Sequence, residues 1–153
     1  MKKAVLYLET SVFGFYFDEE PQNISNKVEQ ARPLQIQYVL CSGKVYFAYT
    51  FLYREKFLSL IEENNVKELE VDEDEVEKLA QKYINEKVIP EEFMDDARHV
   101  ASATVAKVDL LVSLNLEHIV NEWTIRKING VNLREGYPIL NIRLPEEVVV
   151  YED

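Results

Sequence analysis

The amino-acid sequence predicts an α/β fold: a three-layer α/β/α sandwich with a central, mainly parallel sheet. Two observations carry this. The clearest strand segments, AVLYL from residue 4 and VDLLVSL from residue 108, are near-continuous apolar runs, as in strands buried on both faces. Strand and helix periods also alternate along the chain, which is the order of parallel strands joined by helical crossovers. The 153 residues contain no linker, repeat or low-complexity tract, so a single domain over 1–153 is expected.

Residues 4–9 read as the first strand, closed by the carboxylate of Glu9, and DEEPQN (18–23) as a polar loop. Asn26 with Glu29 three residues on has the form of a capping box, opening a helix towards Val39 and Leu40 that Pro33 kinks or delays. Ser42-Gly43 ends it, and KVYFAY (44–49) reads as the second strand. TFLYREKFLSLIEEN (50–64) is helical by its period, and KELEV (67–71) is a short strand. Asp72 with Glu75 caps a helix to about Lys87. Pro90 opens a helix over 91–107 with acids in its first turn, where the helix dipole favours them. VDLLVSL is the third clear strand, then come a polar stretch and a helix over 122–135. YPILNIRL (137–144) supplies an edge strand, and Pro145 begins a short closing turn or helix.

Composition narrows the chemistry. Cys41 is the only cysteine, which excludes an internal disulfide and a cysteine-based zinc site. Two histidines and four glycines leave no histidine-rich metal site and no phosphate-cradling loop, so reactive groups must be mainly carboxylates. The net charge of −11, from 28 acids against 17 bases, argues against broad nonspecific nucleic-acid binding. It leaves room for a small basic groove or a basic partner. No apolar run approaches the roughly 18–20 residues of a membrane span. The apolar stretch after Lys2 and Lys3 stops at Glu9, short of the roughly 7–15 residues of a secretory signal. A cytoplasmic protein without membrane contact is therefore expected.

Three acids sit where an acid is expensive. Glu9 ends the first strand; Glu55 keeps the i, i+4, i+7 spacing of Phe51 and Leu58; Asp96 shares a stripe with Val100 and Ala103. Asp95 lies with His99 and Ser102 on the more polar side. Each acid taken singly fits a strand end or a solvated helix edge. Together they fall on one rim, because strand C-terminal ends and helix N-terminal turns share an edge of an open parallel sheet. Asn115, just past VDLLVSL, falls there too. Converging carboxylates repel unless a cation neutralises them. Oxygen donors favour Mg²⁺ or Mn²⁺, which activate water and hold phosphate oxygens. His99 reads as a helix-surface hydrogen bonder, His118 as a loop-fixing residue, and Tyr7 and Trp123 as core or interface packing. Arg98, Arg126, Lys127 and Arg134 are surface bases at the edge of that argument.

YLETSVFGFYF (7–17), DDARHVASATVAKVDLLVSLNLEHIVN (95–121) and RLPEEVV (143–149) together resemble PIN-domain nucleases, in the VapC-like branch with Glu-Thr-Ser as its first motif. The likeness spans nearly the whole chain. It implies a PIN-like fold and a Mg²⁺- or Mn²⁺-dependent ribonuclease, the toxin of a toxin–antitoxin pair, with RNA as substrate and an antitoxin protein as partner. The resemblance carries over Glu9, Glu55, Asp96 and Asn115 as catalytic residues, with Glu9, Glu55 and Asp96 as metal ligands. Ser11 matches the hydroxyl that orients the first carboxylate, and His118 the histidine of the Asn-x-x-His stretch. Three positions depart from the commoner pattern. Glu9 is one methylene longer than aspartate, Asn115 brings an oxygen without a charge, and Tyr49 stands where relatives often have Ser or Thr. The other readings are a PIN-like module that binds nucleic acid or protein without cutting, and a phosphotransfer enzyme of similar α/β build. The last needs an aspartyl nucleophile where Glu9 stands. Phe13, Phe15 and Tyr16, apolar and close behind the acid motif, leave a homodimer open.

Overall fold

The computed structural model describes residues 5–9, 11–12, 37–40 and 67–148, and within them every strand pairing is parallel. The strands are β1 (Val5–Leu8), β2 (Gln37–Leu40), β3 (Lys67–Glu68), β4 (Leu110–Val112) and β5 (Ile142–Arg143), in the spatial order β3-β2-β1-β4-β5. Central β1 sets Leu6 opposite both Tyr38 and Leu110, and Tyr7 opposite both Val39 and Leu111. Neighbouring residues on a strand face opposite sides of the sheet. Leu6 and Tyr7 are both buried, as are Leu111 and Val112, so the central strands are covered on both faces. That is why their sequences read as unbroken apolar runs.

Three longer helices follow the sheet's first half: α1 (Glu73–Asn85), α2 (Met94–Val105) and α3 (Glu122–Arg134), with a short α4 (Pro145–Val148). The Asp72 carboxylate accepts the Glu75 N–H at 3.1 Å, so the cap legible in the sequence is made. Asn121 caps α3 in the same way, through the Thr124 N–H at 2.9 Å. Lys87 takes a left-handed φ of 54° where the chain leaves α1, and Gly136, at 85°, turns it after α3. A 3₁₀ turn over Glu91–Phe93 leads into α2, which therefore starts three residues later than its sequence period suggests.

The core gathers Tyr7, Leu79, Tyr83, Ile89, Val100, Leu111, Ile119 and Ile128, all fully or nearly fully buried. Each such large side chain contributes about 1.5–3 kcal/mol through removal from water. α2 packs closely on α1 because its inner positions are small: Ala97, Ala101, Ser102 and Ala103 are all buried. A polar thread crosses this core. The Tyr83 hydroxyl donates to Asn132 Oδ1, Asn132 Nδ2 donates to Thr104 Oγ1 at 3.2 Å, and Thr104 donates to the Val100 carbonyl at 2.9 Å. It ties α1, α2 and α3 together, and burial pushes the Tyr83 phenol above its ordinary range.

One sequence expectation is overturned and one narrowed. The helix drawn towards Val39 and Leu40 gives way to β2, because Gln37–Leu40 is laddered between β1 and β3. Pairing on both sides outweighs a weak helical preference in Gln-Tyr-Val-Leu. Of the two places expected for Trp123, the core is ruled out: it is 73% exposed on the first turn of α3. The strand over 44–49 and the helix over 50–64 lie outside the described residues. Among the described residues, no helix is long and apolar enough to cross a membrane.

The buried thread makes a direct stability prediction. Tyr83→Phe strands Asn132 Oδ1 without its donor and is expected to cost about 1–3 kcal/mol. Urea unfolding checks it: the midpoint should fall with the slope unchanged.

Candidate active site

In chain order the described strands run outward from β1 to β2 and β3 on one side, and from β4 to β5 on the other. The C-terminal ends of β1 and β4 are therefore the switch point of the sheet, the place where open parallel sheets bind ligands. Glu9 is the first residue past β1, and Ser113 the first past β4. The Glu9 N–H still donates to the Val112 carbonyl at 2.9 Å, one step beyond the strand, so its side chain starts from a fixed backbone. Glu9 is only 3% exposed.

A buried carboxylate needs donors, and two serines supply them. Oε1 accepts the Ser11 N–H at 3.0 Å, and Oε2 accepts both the Ser11 hydroxyl and the Ser113 hydroxyl, the latter at 2.8 Å. The same two hydroxyl oxygens accept loop N–H groups: Ser11 Oγ from Leu114 at 2.9 Å, Ser113 Oγ from Asn115 at 3.0 Å. The turn after β1 and the loop after β4 are thus joined through one carboxylate. Below it, His99 Nε2 lies 3.8 Å from Glu9 Oε1, while Nδ1 lies 2.7 Å from the Tyr7 hydroxyl. Burial holds the His99 imidazole below the usual histidine range, against the pull of the Glu9 and Asp95 charges.

The second acid comes from α2. Asp96, half-buried on its first turn, accepts Asn115 Nδ2 at Oδ2, 2.9 Å away, and Asn115 Oδ1 in turn accepts the His118 N–H at 3.0 Å. The His118 ring stacks on Phe93, with centroids 3.8 Å apart and planes 27° from parallel. Burial pushes the Asp96 carboxyl above its ordinary range; the Asn115 hydrogen bond pulls it back, and the negative charge of Glu9 adds to the rise. Among the described residues, no lysine or arginine pairs with Asp96.

Of the residues the sequence singles out, Glu9, Ser11, Asp96, Asn115 and His118 come together at this rim. Glu55 lies outside the described residues. Among the described residues, no three His, Cys, Asp or Glu side chains stand close enough to hold a metal ion. Two carboxylates that raise one another's proton affinity are nevertheless a donor set that a hard divalent cation fits, since it removes the repulsion.

Sequence reasoning missed Ser113 and misplaced His99. His99 and Ser102 were expected on the polar side of their helix, yet both are buried, and only Asp95 of that trio is exposed. The reason is that α2 is covered on more than one side, so the one-stripe rule fails for it. Ser113 could have been found as the small polar residue interrupting the end of VDLLVSL. Three of the four surface bases are engaged elsewhere: Arg98 with Glu77 at 2.6 Å and Asp95 at 2.8 Å, Arg126 with Glu122 at 2.7 Å, and Arg134 with Glu86. A groove of about 400 Å³ between α1 and the end of α3, lined by Leu79, Lys82 and Tyr137 among others, contains none of the candidate residues. No family model matches this chain, and no curated protein or solved structure matches it either.

The raised Asp96 carboxyl predicts a stability effect of definite sign. A folded-state pKa above the unfolded one means that stability is lost as pH rises through it, so the Asp96 charge is a liability at neutral pH. Metal-free Asp96→Asn is therefore expected to melt at a higher temperature than the parent at neutral pH. The gap should close as pH falls below the ordinary carboxylate range of about 4, as thermal scans across pH would show.

Proposed function

We propose that the chain is a metal-dependent ribonuclease of PIN-like, three-layer α/β/α build, one domain over 1–153, that hydrolyses RNA phosphodiester bonds. The observation that carries this reading is the braced carboxylate: Glu9, buried and held by Ser11 and Ser113, is electrostatically coupled to Asp96 at the switch point between β1 and β4. The motif resemblance supplies the third acid, Glu55, and the substrate class.

Glu9, Asp96 and Glu55 would hold Mg²⁺ or Mn²⁺ in this reading. A divalent ion bound there supplies an acidified water and a neutralising charge for the phosphate. The chain's own residues do the rest. Ser11 and Ser113 fix both oxygens of Glu9, so the longer glutamate side chain keeps one position. Asn115 takes Oδ2 of Asp96 and orients that carboxylate without adding a charge. Asp96, half-exposed and already raised in proton affinity, is the group suited to accept the proton of the attacking water. The toxin role, a cytoplasmic setting, an antitoxin with a basic binding face and a homodimer follow as parts of the same proposal, the basic face because the chain carries −11.

One observation favours the non-cutting binding module. The Asn115 amide is committed at both ends, to Asp96 and to the His118 backbone, so it brings no third charge. Cleavage assays separate the two readings. Purified protein with Mn²⁺ should cut single-stranded RNA, and Glu9→Gln or Asp96→Asn should each lower the rate by more than about a hundredfold, beyond what losing a supporting partner costs. Unchanged metal-stimulated cleavage in Asp96→Asn sinks the nuclease reading. RNA binding with no cleavage and no Mn²⁺ uptake would establish the binding module instead.

A further inference from the structure

We propose that His99, oriented by the Tyr7 hydroxyl, is a positioning residue that holds the Glu9 carboxylate through the Nε2–H tautomer of its ring; the purpose assigned to it rests on the metal-site reading above. Tyr7 and Glu9 are two residues apart at the end of β1, so their side chains leave the same face of the strand. His99 reaches that face from α2 and puts one ring nitrogen on each: Nδ1 2.7 Å from the Tyr7 hydroxyl, Nε2 3.8 Å from Glu9 Oε1. All three residues are at most 3% exposed. The rings of Tyr7 and His99 meet edge to face at 69°, which fixes the imidazole plane as well as its hydrogen bond.

The proposed tautomer rests on which nitrogen faces the carboxylate. Nε2 is turned towards Glu9 Oε1, where an N–H is favoured over a lone pair; the 2.7 Å contact at Nδ1 fits either direction, and with the hydrogen on Nε2 it is the Tyr7 phenol that donates. At 3.8 Å the contact is too long for a hydrogen bond, so it acts as a dipole aimed at Oε1. Glutamate needs such a guide more than aspartate would, having one more rotatable bond between backbone and carboxylate. The serines fix it from the loop side, while His99 limits how far Oε1 swings towards the core.

The test uses the full chain with ¹⁵N-labelled histidine, without metal and at neutral pH. Wild-type His99 should show a protonated Nε2 and a bare Nδ1; Tyr7→Phe should move the Nδ1 resonance, and Glu9→Gln the Nε2 resonance. An Nδ1–H ring, a doubly protonated ring, or an Nε2 resonance indifferent to Glu9→Gln overturns the proposal. Calorimetry with Mn²⁺ alone then measures the consequence in variants shown by thermal melting to be folded. Tyr7→Phe and His99→Gln should each weaken Mn²⁺ binding by about 10–100-fold, as loss of a ligand's supporting partner does elsewhere. Tyr7→Phe should add little once His99 is already Gln, because the two act in series. Unchanged affinity in both folded variants, or fully additive losses, counts against positioning. Failure of the wild type to take up Mn²⁺ would instead overturn the metal reading, and the ring spectra would still decide how His99 is held.

Discussion

A buried carboxylate at the end of the central strand is the constraint on which the rest of this structure depends. Removing a carboxylate from water costs several kcal/mol even after the protein relaxes around it. A hydrogen bond to a charged group returns about 1.5–3 kcal/mol. Three such bonds from Ser11 and Ser113 are of the right size to hold Glu9 where it is, and one would not be. The serines then need places of their own, and they find them by accepting N–H groups from the loop after β4. A single charge thus organises two loops that are a hundred residues apart in sequence.

Topology brings those loops together. A strand order of β3-β2-β1-β4-β5 in a parallel sheet makes β1 and β4 neighbours although most of the described chain lies between them. Their C-terminal ends are the switch point, the place where open parallel sheets bind ligands. α2 completes the arrangement from one side. Its small inner residues let it lie close against its neighbours, so that its first turn presents Asp96 at the rim and its second turn drives His99 underneath.

What the sequence reveals divides along physical lines. Local signals survive: the Asp72 cap, the apolar strands, and the acid at the first turn of α2 are each decided by residues close in sequence. Non-local signals do not. Nothing in Gln-Tyr-Val-Leu says that two parallel neighbours await it, and so β2 reads as a helix end. His99 looks like a surface residue because the one-stripe rule assumes a helix with a solvated back, which α2 lacks. Ser113 hides because a serine in an apolar strand carries no pattern; its role exists only through Glu9, far away in sequence. Glu9 itself stands out because a charge that closes an apolar run contradicts its local context, the kind of conflict expected at functional or strained positions.

The electrostatics of the rim argue for a ligand more strongly than the identity of any one acid. Burial and the charge of Glu9 outweigh what the Asn115 amide and His118 offer the Asp96 charge, and no lysine or arginine pairs with it among the described residues. A structural carboxylate would be expected to show the opposite sign, its proton affinity lowered by a cation or by surplus donors. Glu9 has its donors, Asp96 has a single amide, and the difference leaves Asp96 as the group with unmet demand. This contrast between the two carboxylates is what supports the proposed cation site. On this argument the neutral Asn115 is a consequence rather than a defect. It orients Asp96 without neutralising it, and a third fixed negative charge there would add to the repulsion between Glu9 and Asp96.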